Sequence, residues 1–264
     1  MTPLRTIAVL NQKGGSAKTT TTVNLAEALA RQGRAVLVLD LDPQSSASAW
    51  LGRRPEGAGL LQCLTLDDGP SLAELVVPSG VGGVDVIPAS PHLVQAERLL
   101  VSTLGGELQL ARRLEALLAE HPLRWSYLLI DCPPALGLLT ANALAAGPEL
   151  LVPVEASTMA LAGLGVLLET VARARAAYRV ELPLAGILAC RVDLRTRLCR
   201  EILAHLRSHF GASVFTTFVR ETVRLREAWS HSQAVGAFAP GSAGAADYAA
   251  LADEVIAQEA LRAA

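Results

Sequence analysis

Short, nearly continuous apolar runs punctuate the chain, and longer stretches with helical spacing separate them. Ile7-Ala8-Val9-Leu10, Ala35–Leu39, Val84–Ile87, Tyr127–Ile130, Leu150–Val154 and Leu184–Ala189 place apolar residues side by side rather than at alternate positions, and Val214–Phe218 is a weaker run of the same kind. A strand with one wet face alternates; a strand covered on both faces does not, so these runs read as strands of a parallel sheet. Helical candidates fill the intervals: Thr19–Arg31, Glu107–Glu120, Leu138–Ala146, Leu161–Tyr178, Thr196–Phe210 and Ala245–Ala260. Strands alternating with helices predict an α/β fold, doubly wound, with a mostly parallel sheet and helices on both faces. Segments rich in Gly, Ser and Pro at 52–59, 67–70 and 78–83 read as surface loops. None is long enough to be a linker and no internal repeat is visible, so residues 1–264 are expected to form one domain.

Two runs end in a carboxylate, Asp40 and Asp131, and open α/β sheets place their ligands beyond such strand ends. The first run leads into Lys13-Gly14-Gly15-Ser16-Ala17-Lys18-Thr19 and then a helix. A strand, a glycine-containing loop ending in Lys-Thr and a helix make a phosphate cradle, because loop N–H groups and the positive helix N-terminus converge on one anion. The common pattern G-x-x-x-x-G-K-[ST] puts glycine where this chain has Gln12 and Ala17, and adds no lysine at position 13. Lys18 is expected to reach the β- and γ-phosphates and the Thr19 hydroxyl to ligate Mg²⁺, with Gly14, Gly15, Ser16, Ala17 and Thr20 completing the nucleotide-binding stretch. If position 17 needs positive φ, alanine costs about 1 kcal/mol there. Asp131, in Leu128-Leu129-Ile130-Asp131-Cys132-Pro133-Pro134, has the form of a Walker B carboxylate that a buried strand delivers to the metal. Asp40-Leu41-Asp42-Pro43-Gln44 supplies two more, and strand alternation puts Asp40 and Asp42 on one side, one to support the metal and one to orient a water.

Composition narrows the class further. The chain is 51% hydrophobic and 18% charged, which fits a large core and excludes a disordered chain. A net charge of −2 gives no global basic field for nucleic acid, so any such contact must be local. Arg191, Arg195, Arg197 and Arg200 form one local group, and Arg220, Arg224 and Arg226 a second. Phosphate contacts need only positive charge on a shared face. Cys63, Cys132, Cys190 and Cys199 make no C-x-x-C pair and read as reduced thiols of a cytosolic protein. No signal-peptide pattern opens the chain and no apolar run approaches a bilayer span, so a cytoplasmic location is expected.

Taken together, Lys13-Gly14-Gly15-x-x-Lys18-Thr19-Thr20, Asp40-x-Asp42-Pro43-Gln44 and Asp131-Cys132-Pro133-Pro134 resemble the deviant Walker A ATPases of the ParA/MinD group. Gly137-Leu138-Leu139-Thr140-x-Asn142-Ala143-Leu144, Val152-Pro153-Val154-Glu155, Val223-Arg224-Leu225 and Ala239-Pro240-Gly241-Ser242-x-Gly244-Ala245 resemble the ParA/Soj partition ATPases. The resemblance runs from about Ile7 to Val255. It implies a P-loop ATPase that uses ATP, ADP and Mg²⁺, with Asp42 as the hydrolytic and Asp40 as the metal-side carboxylate. It also implies an ATP-dependent homodimer in which Lys13 reaches the partner's nucleotide, as an arginine finger does elsewhere. That dimer would hold double-stranded DNA without sequence preference through Arg195 and Arg224, sit on the nucleoid, and release DNA when a ParB-like partner stimulates hydrolysis.

The chain departs from the family pattern at Val219-Arg220-Glu221-Thr222, where Ile-Pro-Arg-Asn is common, at Ser45-Ser46 in place of Gly-Asn, and at Ala17 in place of Gly. A MinD-like membrane-surface ATPase needs a basic amphipathic C-terminus, but Ala252–Ala264 sets Asp253, Glu254 and Glu259 against one Arg262. An electron-transfer ATPase like nitrogenase iron protein needs two cluster-ligating cysteines at a dimer face, and only Cys132 is suitably placed. A slowly hydrolysing, nucleotide-dependent DNA scaffold is the alternative that Ala17 raises.

Overall fold

The unbroken apolar runs become strands buried on both faces. In the computed structural model, which describes residues 4–55 and 57–262, they are β1 (Arg5–Val9), β2 (Val36–Asp40), β3 (Val77–Pro78), β4 (Val84–Ile87), β5 (Tyr127–Asp131), β6 (Glu149–Glu155), β7 (Leu184–Val192) and β8 (Val214–Arg220). Every residue of β2 and β5 is buried. Their side chains divide between two cores by strand alternation: Leu37, Leu39, Leu128 and Ile130 on one face, Val36, Val38 and Leu129 on the other. The strands form one sheet in the order β3-β4-β2-β5-β1-β6-β7-β8, parallel throughout except for the antiparallel β3–β4 edge.

That order sets the site. β5 lies between β2 and β1, so Asp131 is register partner to both Asp40 and Val9. β1 also pairs with β6, and the loop that follows Val9 therefore opens where the strand order reverses. At the far edge β7 pairs with β8, with Val192 opposite Arg220.

The long helices fall close to expectation: Lys18–Arg31, Gln109–Glu120, Leu138–Ala145, Thr158–Tyr178, Arg197–Phe210 and Ala243–Arg262. A 3₁₀ turn at Gly106–Leu108 displaces the expected start of the second. Six short helices, Ser46–Trp50, Gly59–Thr65, Leu72–Leu75, Ala96–Val101, Val223–Ser230 and Val235–Phe238, and the two-residue β3 were not expected. One or two turns carry too few residues to show a 3.6-residue period, and tertiary packing rather than propensity holds them. Side-chain caps mark some of their starts: Ser71 and Glu74 form a reciprocal capping box, and the Thr222 hydroxyl accepts the Arg224 N–H at 3.3 Å.

Candidate functional site

The loop after β1 is tied down at its start and strained at its end. The Asn11 side chain donates to the Pro153 carbonyl at 2.7 Å and accepts the Lys13 N–H at 3.0 Å, fixing the loop to β6. Gly15 has φ +73° and Ala17 φ +69°, both left-handed. Position 17 therefore does need positive φ, and alanine carries about 1 kcal/mol of strain there. The helix Lys18–Arg31 begins with no side-chain cap and no acidic residue in its first turn, which leaves its N–H groups for a ligand. The Ser16 hydroxyl is 1% exposed and finds no hydrogen-bond partner among the described residues. Lys18 is 7% exposed; its ammonium donates to the Lys13 carbonyl at 3.4 Å and makes no ion pair among the described residues. Burial pulls the Lys18 pKa down, with Asp131 and Asp42 opposing. A buried cation, an orphan hydroxyl and an open helix N-terminus converge on one point, and that arrangement suits a polyanion.

The three carboxylates behave differently. Asp131 is fully buried and accepts the Thr19 hydroxyl at 2.8 Å and the Thr22 hydroxyl at 3.1 Å. Desolvation, then the nearby Asp40, pushes its pKa up. Thr19 and Asp42 line the adjoining cavity of about 600 Å³, and Asp131 stands behind Thr19. Asp40 is fully buried beside Asp131 and does not itself line that cavity. One of its oxygens accepts the Asp42 N–H (3.2 Å), and the other accepts the Ser48 N–H (2.7 Å) and hydroxyl (2.6 Å). β2 ends at Asp40 and the chain turns there, so strand alternation does not set the relative directions of Asp40 and Asp42. These bonds make Asp40 a brace for the segment that carries Asp42. Ser45, in that segment, also has positive φ (+54°).

Lys13 does not line the cavity of its own chain; its ammonium lies 2.5 Å from Glu155 at the end of β6. Across the cavity from the loop stand Val219, Arg220, Glu221, Thr222 and Leu225. The Arg220 guanidinium is engaged by Asp247 (2.6 Å), and Glu221 pairs with Arg191 (3.2 Å) and Arg226 (3.5 Å). Arg195 follows the end of β7, and Arg224 lies in the helix that follows its neighbour β8. Neither is free of an internal acid: Arg195 is held by Asp193 and Arg224 by Glu227, each at 2.8 Å. Arg195 is nonetheless 90% exposed. These acid partners, the brace made by Asp40 and Ser48, and the tryptophans Trp50 and Trp229 lining the cavity were not foreseen from sequence.

Among the described residues, no group of three or more His, Cys, Asp or Glu forms a protein-only metal cage. A hydroxyl backed by a carboxylate beside a phosphate cradle does fit Mg²⁺, which is commonly held by one or two protein groups together with phosphate oxygens. Comparison with known proteins agrees with this geometry. The AAA domain family matches residues 4–184. The chain is 44% identical over 255 residues to the chromosome-partitioning ATPase Soj of Thermus thermophilus, covering 97% of this chain and 96% of that one. It is 40% identical over 253 residues to the sporulation initiation inhibitor protein Soj of Bacillus subtilis, covering 95% and 98%. The chain belongs to the Soj/ParA family of ATPases. Among solved structures, the cobyrinic acid a,c-diamide synthase of Mycobacterium smegmatis with bound ATP analogue and magnesium superposes with a TM-score of 0.80 at 32% identity, over 95% of this chain and 93% of that one.

For a Soj/ParA-family chain the structure also bears on two alternatives. Helix Ala243–Arg262 buries Tyr248, Leu251, Ala252 and Val255 in the core, so its apolar face is engaged rather than open to a membrane surface; residues 263–264 lie outside the described part. Among the described residues, no helix is long and apolar enough to cross a membrane. All four cysteines are buried, Cys132 included, which leaves no thiol presented for a cluster shared between subunits.

Proposed function

We propose that this chain is an ATP-driven DNA-holding switch of the partition type. It binds Mg²⁺·ATP in the Gly14–Thr20 loop, pairs with a second copy, holds double-stranded DNA without sequence preference, and lets go after hydrolysis that a ParB-like partner accelerates. The observation that carries the reading is the buried Lys18 ammonium, without an ion pair among the described residues, beside a Ser16 hydroxyl with no partner among them, at a helix N-terminus with no side-chain cap. Such a group is costly unless an anion completes it.

The residues take separate roles. Lys18, Ser16 and the loop N–H groups bind the β- and γ-phosphates. Thr19 offers its hydroxyl to the metal, and Asp131 accepts from that hydroxyl and orients it. When bound, Mg²⁺ neutralises charge that develops on the phosphate oxygens. Asp42, the carboxylate that faces the cavity, orients the attacking water, and Asp40 holds it in place through its N–H. Lys13 lies outside its own cavity, which supports a role across a dimer interface. Each DNA-facing arginine must exchange an internal carboxylate for a phosphate, so a single copy binds weakly, and pairing two copies on one duplex raises the effective concentration of the second contact.

Sedimentation of the wild-type and Lys13→Ala proteins in Mg²⁺·ADP and in a non-hydrolysable Mg²⁺·ATP analogue tests the pairing step. The expected result is a dimer only for wild type with the ATP analogue. A Lys13→Ala protein that dimerises and hydrolyses as wild type does would remove the trans role of Lys13.

A further inference from the structure

One wall of the cavity is aromatic, and the phosphate site does not account for it. Trp50 ends the helix Ser46–Trp50 and Trp229 stands near the end of the helix Val223–Ser230; both line the cavity, with Ser46 and Ser230 beside them. Their rings meet edge to face, with centroids 5.2 Å apart and planes at 77°. Trp50 is 4% exposed, and its indole N–H donates to the Gln233 carbonyl at 2.7 Å, just past the second helix. Trp229 is 40% exposed. A half-exposed indole held at one angle by a buried one is a constrained contact, not loose surface.

What the pair joins is more telling than the pair itself. Trp50 closes a segment that starts at Asp42. Within it the Ser45 N–H bonds the Asp42 carbonyl (2.8 Å), the Ala49 N–H bonds the Ser45 carbonyl (3.0 Å), and Ser48 is pinned by Asp40. The Ser48 hydroxyl also accepts the Ala89 N–H at 2.9 Å, which fixes the middle of the segment to the chain after β4. Asp42 at one end and Trp50 at the other are therefore two ends of one hydrogen-bonded piece held at its middle. On the other side of the contact, Trp229 shares its helix with Arg224 and Arg226.

We propose that Trp50 and Trp229 are positioning residues for hydrolysis: their edge-to-face contact holds the Asp42 segment against the Val223–Ser230 helix, so that the placement of Asp42 over the cavity and the placement of that helix are set together. The inference rests on the reading that Asp42 orients the attacking water. Neither indole touches the reacting atoms; both act through the segment they fasten. Loss of the contact lets the segment sample positions in which Asp42 is out of line, which lowers the rate without weakening the grip of the loop on phosphate.

Trp229 is the residue to change, because Trp50 is core and its removal threatens folding. Steady-state hydrolysis is measured for wild type, Trp229→Ala, Trp229→Phe and Asp42→Ala, with thermal unfolding as a check on the fold. The expected result is a kcat about two- to tenfold lower for Trp229→Ala, with KM for ATP within about twofold of wild type, and recovery in Trp229→Phe, which keeps a ring edge on Trp50. The chain has three tryptophans, and Trp125 lies at the opposite end of β5 from the cavity, bonded to Asp85. In a Trp125→Phe background the near-ultraviolet circular dichroism of the remaining pair is expected to change when a non-hydrolysable ATP analogue replaces ADP. An unchanged kcat in a folded Trp229→Ala, or a rise in KM at constant kcat, overturns the proposal and leaves Trp229 a mere wall. If Asp42→Ala hydrolyses at the wild-type rate, the underlying reading of Asp42 fails; if it is inactive while Trp229→Ala is normal, the positioning role alone fails.

Discussion

Two regions beyond the carboxyl ends of the strands hold their charges in opposite ways. At the ends of β1, β2 and β5, Lys18, Asp40 and Asp131 are buried, and Lys18 has no ion-pair partner among the described residues. Beyond β7 and β8, Arg195, Arg197, Arg224 and Arg226 are exposed, and each already has a carboxylate: Asp193, Glu201, Glu227 and Glu221. A buried unpaired cation is incomplete without a ligand, and its removal costs heavily. An exposed pair is worth about 0–1 kcal/mol and yields to salt or to a competing phosphate. In the proposed switch, one region recognises a single anion in a fixed geometry, and the other touches many phosphates weakly and lets go.

The comparison can be broken most sharply at Lys18. Lys18→Ala is expected to lower kcat/KM for ATP by at least about a hundredfold, measured by phosphate release, because one buried charge serves both binding and the transition state. A loss of only a few fold would mean that the buried region is no more demanding than the exposed one. Next in size, Arg195→Ala and Arg224→Ala are each expected to weaken DNA binding several-fold and to reduce the slope of log affinity against log salt by about one, read by fluorescence anisotropy across a salt series. ATP affinity should not change in either variant.

A smaller effect of opposite sign comes from the acids. Asp193→Asn frees Arg195 and is expected to tighten DNA binding by up to about fivefold at low salt, the scale of an exposed pair. Lowering the pH does not substitute for this change: the hydrogen bonds from Arg195 hold the Asp193 pKa down at about 2, so the carboxylate stays ionised through the working range. The smallest effect belongs to the loop itself. Ala17→Gly relieves a left-handed alanine and is expected to raise the stability of the folded state by about 0.5–1 kcal/mol in urea unfolding.

The same contrast explains what could be read from the chain before any coordinates. Strands covered on both faces leave unbroken apolar runs, so β2, β5 and β6 were legible almost to the residue, whereas Ser46–Trp50 and Val223–Ser230 are too short to show a period. The glycine-containing loop between β1 and the first long helix, and Asp131 as the last residue of its strand, were legible because both are local in sequence. The partners of Asp40 were not, because the chain turns as soon as β2 ends and Ser48, eight residues on, bonds its carboxylate. The pairing of Arg220 with Asp247 and of Trp50 with Trp229 joins residues far apart in the chain, which no spacing rule reaches. Ala17 stood between these cases: its spacing named the question and only its φ answered it.

The central claim is that the buried nucleotide region governs the exposed arginine region. The most direct test is the affinity of the wild-type protein for a random-sequence duplex at one fixed salt concentration, with Mg²⁺ and either ADP or a non-hydrolysable ATP analogue. The expected result is binding at least about tenfold tighter with the ATP analogue, because in the proposed switch only that state sets two arginine edges on one duplex. Equal affinity in the two nucleotides would contradict it.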